Sequence, residues 1–194
     1  MATHTQHFEK DCFYFITFTC YRWLPLFAES SIHEYLPVWF KGLSRKGFLL
    51  CGYVIMPNHL HFLLFALPQS QSLNQSIGTG KRFLAYEIIR RLRARNLNNT
   101  LRSLSTAVRP KEQFKGKKHQ VFRPSFDAKI CDSVEMIESV LDYMHHNPVA
   151  GKWSLVDEFP DYKLSSASFY ENGTPSRIPV TDYRVILDGE YSTE

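Results

Sequence analysis

FLLCGYVIM (Phe48–Met56), Pro57-Asn58 and HLHFLLFAL (His59–Leu67) decide the fold. Two apolar runs flank a Pro-Asn pair. Proline second and asparagine third in a turn suit type I or II geometry. Proline cannot donate to a strand ladder, so Pro57 belongs in the turn. The stretch predicts a β-hairpin. It also places His59 and His61 one residue apart in an otherwise apolar run. Side chains alternate faces along a strand, so both imidazoles share a face and Leu60 takes the other. Their α-carbons should lie about 6–7 Å apart. That spacing lets two imidazoles converge on one cation, imidazole being the commonest metal ligand. It equally allows two hydrogen-bonded histidines on a solvated sheet face. Two nitrogens do not fill a metal site, so a further donor must come from elsewhere.

Outward from the hairpin, CFYFITFTCYRW (Cys12–Trp23) is aromatic and β-branched and predicts a strand. Ser30 or Ser31 can open a helix with Glu34 completing a capping box, and Ile32, Tyr35, Leu36, Trp39, Phe40 and Leu43 follow at helical spacing. Pro37 fits only near the start of that helix or at a kink, and Gly47 closes it. Ser72 to Arg95 predicts a second helix, with Phe83, Leu84, Ile88 and Leu92 as its apolar stripe. Asn96 to His119 reads as a basic loop. HQVFRPSFDAKI (His119–Ile130) reads as a short strand and turn. Asp132 or Ser133 caps a third helix, whose Val134, Ile137, Val140, Leu141 and Met144 should be buried, and Pro148 ends it. This order suits an α+β fold, an antiparallel sheet covered by helices. Residues 1–170 are expected to form one domain and 171–194 a loosely attached C-terminal tail.

Net charge is +4 over 194 residues, but its distribution is uneven. Between Ile77 and Lys129 there are 14 Lys and Arg against 3 Asp and Glu; the rest of the chain carries 9 against 16. A basic middle between acidic flanks points to a polyanion on one surface, or to a solvated helix face beside a basic loop. Lys81, Arg82, Arg90, Arg91, Lys117, Lys118 and Arg123 are the candidate phosphate contacts. The four cysteines show no CxxC spacing, and MATHTQHFEKDC resembles no secretory leader. Reduced thiols in a cytoplasmic protein are therefore expected. No apolar stretch approaches the ~18 residues of a membrane span.

The further donor has candidates in LDYMHHNPVAG (Leu141–Gly151). Tyr143 and Asn147 are i and i+4, so they share a helix face. Asn147 can offer an amide oxygen to Mg²⁺ or Mn²⁺, and His146 is its rival. Tyr143 alone reads first as a boundary residue with a packed ring and a wet hydroxyl.

YVIMPNHLHFLL, DYMHHNPVAGKW and DYKLSSASFY, in this order, resemble the REP-associated tyrosine transposases. These belong to the single-tyrosine branch of the His-hydrophobic-His (HUH) endonuclease superfamily. The resemblance covers most of Phe13 to Tyr170, with Gly80 to Arg91 fitting the intervening helix. It departs at Phe122-Arg123, where many members carry Trp-Gln. It implies a ferredoxin-like antiparallel sheet with the histidine pair on a central strand. It further implies His59, His61 and Asn147 as ligands of a divalent metal, Mg²⁺ or Mn²⁺, and Tyr143 as nucleophile. The implied activity is nicking and strand transfer on single-stranded or hairpin DNA at REP-like sequences, through a 5′-phosphotyrosine, by a monomer or homodimer. The alternative is a domesticated, non-catalytic binder of structured single-stranded DNA. A replication initiator of the same superfamily would bring a longer partner domain, and an unrelated His-x-His hydrolase would trap no protein on DNA.

Overall fold

The computed structural model describes residues 9–151 and 153–190. The N-terminal dozen read above for a leader lies mostly outside them, as do the last four residues of the expected tail. The strands are β1 (Cys12–Thr19), β2 (Phe48–Ile55), β3 (His59–Ala66) and β4 (Asp127–Cys131). The helices are α1 (Leu26–Ser30), α2 (Leu36–Ser44), α3 (Leu73–Ala94), α4 (Asn98–Thr106), α5 (Pro110–Gln113), α6 (Val134–His146), α7 (Ala167–Asn172) and α8 (Tyr183–Leu187). The sheet runs β2-β3-β1-β4, antiparallel at every pairing. With α2 and α3 as its crossovers, this is the β-α-β-β-α-β arrangement of ferredoxin-like folds.

The hairpin forms where expected. Pro57 and Asn58 lie in the turn, and Met56 N–H donates to the His59 carbonyl (2.9 Å). β3 lies between β2 and β1, its two faces are covered by α1, α2 and α3 on one side and α6 on the other, and all eight of its residues are buried. That explains the continuous apolar run. Leu60, Phe62 and Leu64 join Tyr14, Ile16 and Phe18 of β1 in a large core beneath α1, α2 and α3. Leu63 and Phe65 join Phe13, Cys51 and Val54 in a smaller core beneath α6. His59 and His61 share this second face, toward its other end.

The capping box does not form. Ser31 is left-handed (φ 49°) and its side chain caps nothing, so α1 and a 3-10 turn precede α2. Pro37 falls in the first turn of α2, where its missing N–H removes no helix bond. Ser133 caps α6 by accepting from Met136 N–H (3.3 Å). Ile137, Leu141 and Met144 are buried as expected, whereas Val134 is exposed.

Two expectations are corrected. The basic loop of 96–119 is largely helical: Leu97, Leu101, Leu104 and Val108 recur at helical spacing and carry α4 onto α3. The stretch from 171 is not loose over Ile178 to Leu187. Ile178, Tyr183 and Ile186 are buried, Thr181 N–H donates to the Leu50 carbonyl (2.8 Å) and the Tyr183 hydroxyl to Glu138 (2.9 Å). These residues and Leu164–Ser166 cover the free edge of β2. Ile55 N–H donates to the Leu164 carbonyl (2.8 Å) and Ser166 N–H to the Tyr53 carbonyl (2.9 Å). An edge so paired is no template for another chain.

α6 approaches the sheet closely at Gly52. A methyl group there would lie 2.5 Å from both Leu141 Cδ2 and Met144 Cε. Farther along, buried His145 pairs through Nε2 with Ser166 Oγ (2.8 Å), which also accepts from Tyr53 N–H (2.9 Å). These contacts fix the helix that bears Tyr143 and Asn147.

Candidate functional site

β3 presents His59 and His61 side by side, with ring centroids 4.7 Å apart and planes at 83°. Both are buried. Each has an orienting partner on Nδ1. His61 pairs with Thr17 Oγ1 (2.7 Å), its cross-strand neighbour on β1. His59 pairs with Asn58 Oδ1 (2.6 Å). Asn58 Nδ2 donates to the Trp23 carbonyl (3.1 Å), which turns its oxygen toward the imidazole. His59 Nδ1 therefore carries the proton, and its other nitrogen presents a lone pair. Burial pushes the His59 pKa down to about 4 against a smaller opposing effect of Asn147. Burial, then the neighbouring His59, push His61 down to about 3. Both rings are neutral near pH 7, the form that binds metals.

α6 supplies the remaining groups. Tyr143 is 56% exposed, and its ring lies edge-on to His61 with centroids 5.5 Å apart. Phe15 of β1 stacks on His61 (5.5 Å, 11°) and meets Tyr143 edge-on (6.2 Å). Asn147 Nδ2 donates back to the Tyr143 carbonyl (2.9 Å), and its side chain contacts His59. With Nδ2 so committed, the amide oxygen is the atom Asn147 has left to offer beside His59. Among the described residues no three His, Cys, Asp or Glu side chains cluster. A divalent ion here would take its third donor from an uncharged group, and Asn147 fits. His146 lies elsewhere, its ring against Phe159 (4.0 Å) and its Nδ1 at Asp142.

The basic residues divide. Arg82, Arg90, Lys117, Lys118 and Arg123 line a groove of about 940 Å³ between α3 and residues 115–124, together with Arg93, Lys115 and Tyr86. Among the described residues no acidic one lines it. Arg90 is paired with Glu87 (2.6 Å) and Lys117 with Glu112 (2.9 Å). Arg91 points elsewhere and holds Glu34 and Glu87 (2.7 Å each). Lys81 is buried under Phe18 and Phe122 and donates to the carbonyls of Arg123 (3.3 Å) and Ser125 (2.8 Å). Burial pushes its pKa down to about 8. It ties residues 123–125 to α3 more than it presents a charge. Of the other tyrosines, Tyr53 is fully buried and Tyr86 stands on α3, away from the histidines.

Thr17, Asn58, Phe15 and Trp23 were not legible as site residues. Only the β1–β3 register sets Thr17 opposite His61, and only the folded turn brings Trp23 to His59 (5.7 Å).

Fold and site together define an α+β protein with a ferredoxin-like sheet and a histidine pair facing a tyrosine helix. One solved structure, a REP-associated tyrosine transposase bound to a REP hairpin, aligns over 100% of this chain and 90% of its own, with TM-score 0.55 and 17% identity. The likeness is one of fold. A second, named a "putative transposase" from Deinococcus radiodurans R1, aligns over 75% of this chain and 97% of its own, with TM-score 0.39 and 16% identity. No family model and no curated protein matches the chain.

Proposed function

We propose that this chain is a DNA transposase that nicks single-stranded DNA beside a hairpin and transfers the strand through Tyr143. The observation that carries the reading is the meeting of four groups on one sheet face. They are two neutral imidazoles, the Asn147 side chain beside one of them, and an exposed phenol ring whose centroid lies 5.5 Å from that of the other. The fold shared with a hairpin-bound transposase agrees with it.

His59, His61 and Asn147 would hold a divalent ion, Mg²⁺ or Mn²⁺, which when bound supplies positive charge against the phosphate oxygens and favours the phenolate. The Tyr143 oxygen forms a bond to phosphorus while the bond from phosphorus to the 3′ oxygen breaks. The phenolic proton passes to solvent, and the departing 3′ oxygen takes up a proton. A second 3′ hydroxyl reverses the step and joins strands, since the phosphotyrosine retains the ester. Asn58 holds His59 in one tautomer, and Thr17 holds the orientation of His61. Phe15 confines both His61 and the phenol ring. The basic groove would bind the strand through its phosphates. The meeting of all four groups within one chain supports a tyrosine acting in its own subunit, in a monomer or a homodimer.

The test is incubation with labelled hairpin oligonucleotides and Mg²⁺ or Mn²⁺, followed by a denaturing gel. A protein–DNA band that vanishes in Tyr143→Phe and in the His59→Ala, His61→Ala double variant is expected. DNA binding without any band in the wild type would instead leave a non-catalytic binder.

A further inference from the structure

Beside the histidines the chain makes an unusual turn. Arg22 and Trp23 both hold left-handed backbone, φ 51° and 59°. Bulky residues rarely do so, and such conformations persist only where their surroundings fix them. Here the surroundings are explicit. Trp23 N–H donates to the Cys20 carbonyl (3.1 Å), and the Trp23 carbonyl accepts from Asn58 Nδ2 (3.1 Å). The same amide orients His59 through its oxygen. The indole is thereby held 52% exposed, edge-on to His59 at 5.7 Å. Half of this large apolar ring is left in water beside a buried polar pair, where a smaller residue would cost the fold less exposed apolar surface.

The turn also lies between the two features already described. On one flank, Tyr21 N–H donates to the Val121 carbonyl (2.8 Å), and Arg123 N–H donates to the Thr19 carbonyl (3.0 Å). Val121 and Arg123 line the basic groove. On the other flank, Cys20 N–H donates to the Asn58 carbonyl (2.8 Å), next to His59. Trp23 thus belongs to the segment whose backbone joins the groove wall at Val121 and Arg123 to the turn at Asn58.

We propose that Trp23 is a stacking platform for an unpaired nucleobase next to the phosphate that is cut, where a single strand leaves the basic groove. This rests on reading the site as one that takes single-stranded DNA. Every base offers a π-face, so the platform is tolerant of sequence, but a base stacked within a duplex has no free face for it. The platform therefore selects unpaired over paired nucleotides at this position.

The test pairs a fluorescence titration, with an unstructured oligonucleotide and no divalent ion, with the covalent-capture assay. The oligonucleotide should quench tryptophan emission in the wild type, and Trp23→Phe should lose most of the quench while binding within about threefold of wild type. Trp23→Ala should bind about 10-fold more weakly. An abasic unit walked through the oligonucleotide should weaken wild-type binding at one position by about 10-fold and leave Trp23→Ala unaffected there. Equal binding by Trp23→Ala and wild type, or the same abasic penalty in both, would overturn the platform. If Trp23→Ala fails to fold, the difference in quench between wild type and Trp23→Phe decides. A Trp23-dependent quench without any covalent band keeps the platform and rejects the nicking activity. A covalent band without such a quench does the reverse.

Discussion

The two faces of the sheet are built differently. Beneath α2 and α3, β1 and β3 present Tyr14, Ile16, Phe18, Leu60, Phe62 and Leu64, all fully or almost fully buried. Beneath α6, only one end is apolar. The other end holds Thr17, Thr19, His59 and His61, with an exposed tyrosine above them. Each imidazole there is partnered, and both are kept neutral at a cost to the charged form. The first face gives the domain its stability. The second keeps polar groups where apolar ones would pack better, which is the pattern of a site rather than a core.

Substitutions can break this contrast. Tyr143→Phe is expected to abolish the covalent band while leaving thermal stability and DNA affinity almost unchanged, since the hydroxyl supports no part of the fold. A surviving band would move the nucleophile elsewhere. On the opposite face, Phe62→Ala should cost about 3–5 kcal/mol in denaturant unfolding, the usual range for a buried ring. A loss near that of a surface change would show that the large core does not dominate stability.

The groove should respond to salt. If about five cations contact phosphates, raising salt from about 50 to about 200 mM weakens single-strand binding about 100-fold. Arg82→Ala or Arg123→Ala should flatten that slope, whereas Arg91→Ala should chiefly reduce stability, because Arg91 is committed to Glu34 and Glu87. Equal changes in slope for Arg91 and Arg123 would dissolve the distinction. Gly52→Ala sets a methyl group against Leu141 and Met144 and should cost about 1–3 kcal/mol by chemical unfolding. It should also lower the rate of covalent capture, because α6 carries the tyrosine.

The smallest effect concerns Lys81. Its pKa is pushed down to about 8 in the folded chain, below its unfolded value of about 10.4. Between these values the unfolded state binds more protons, so stability rises with pH. Wild type should gain about 1 kcal/mol per pH unit over this window relative to Lys81→Met. Parallel pH profiles would show the ammonium to be better solvated than its burial implies.

Much of the fold was legible because its signals are local. The Pro57-Asn58 turn and the two apolar runs mark the hairpin, and Ser133 with the Ile137, Leu141 and Met144 stripe marks α6. α4 was missed because Leu97, Leu101, Leu104 and Val108 are diluted among polar residues that decide its composition. α8 escaped because its five residues become a helix only against the sheet. At the site, alternation along a strand places the two histidines on one face, and helical spacing pairs Tyr143 with Asn147. Their partners depend on register. Nothing local in Thr17 announces His61, and nothing local in Trp23 announces Asn58.

The pairing of β2 with β3 steps between Leu50 and Gly52, so Cys51 is one residue more than β3 can match. The hairpin thus runs in two reading frames joined at a single point. Deleting Cys51 would leave the histidine end in place, since the turn at Met56 to His59 sets that frame. Upstream, Leu50 would still face Leu64 and Phe48 would still face Ala66, both on the large core, because removing the surplus residue restores simple alternation with Gly52. One surplus residue sets Cys51 and Gly52 in succession on the face beneath α6, the place where that helix comes nearest the sheet.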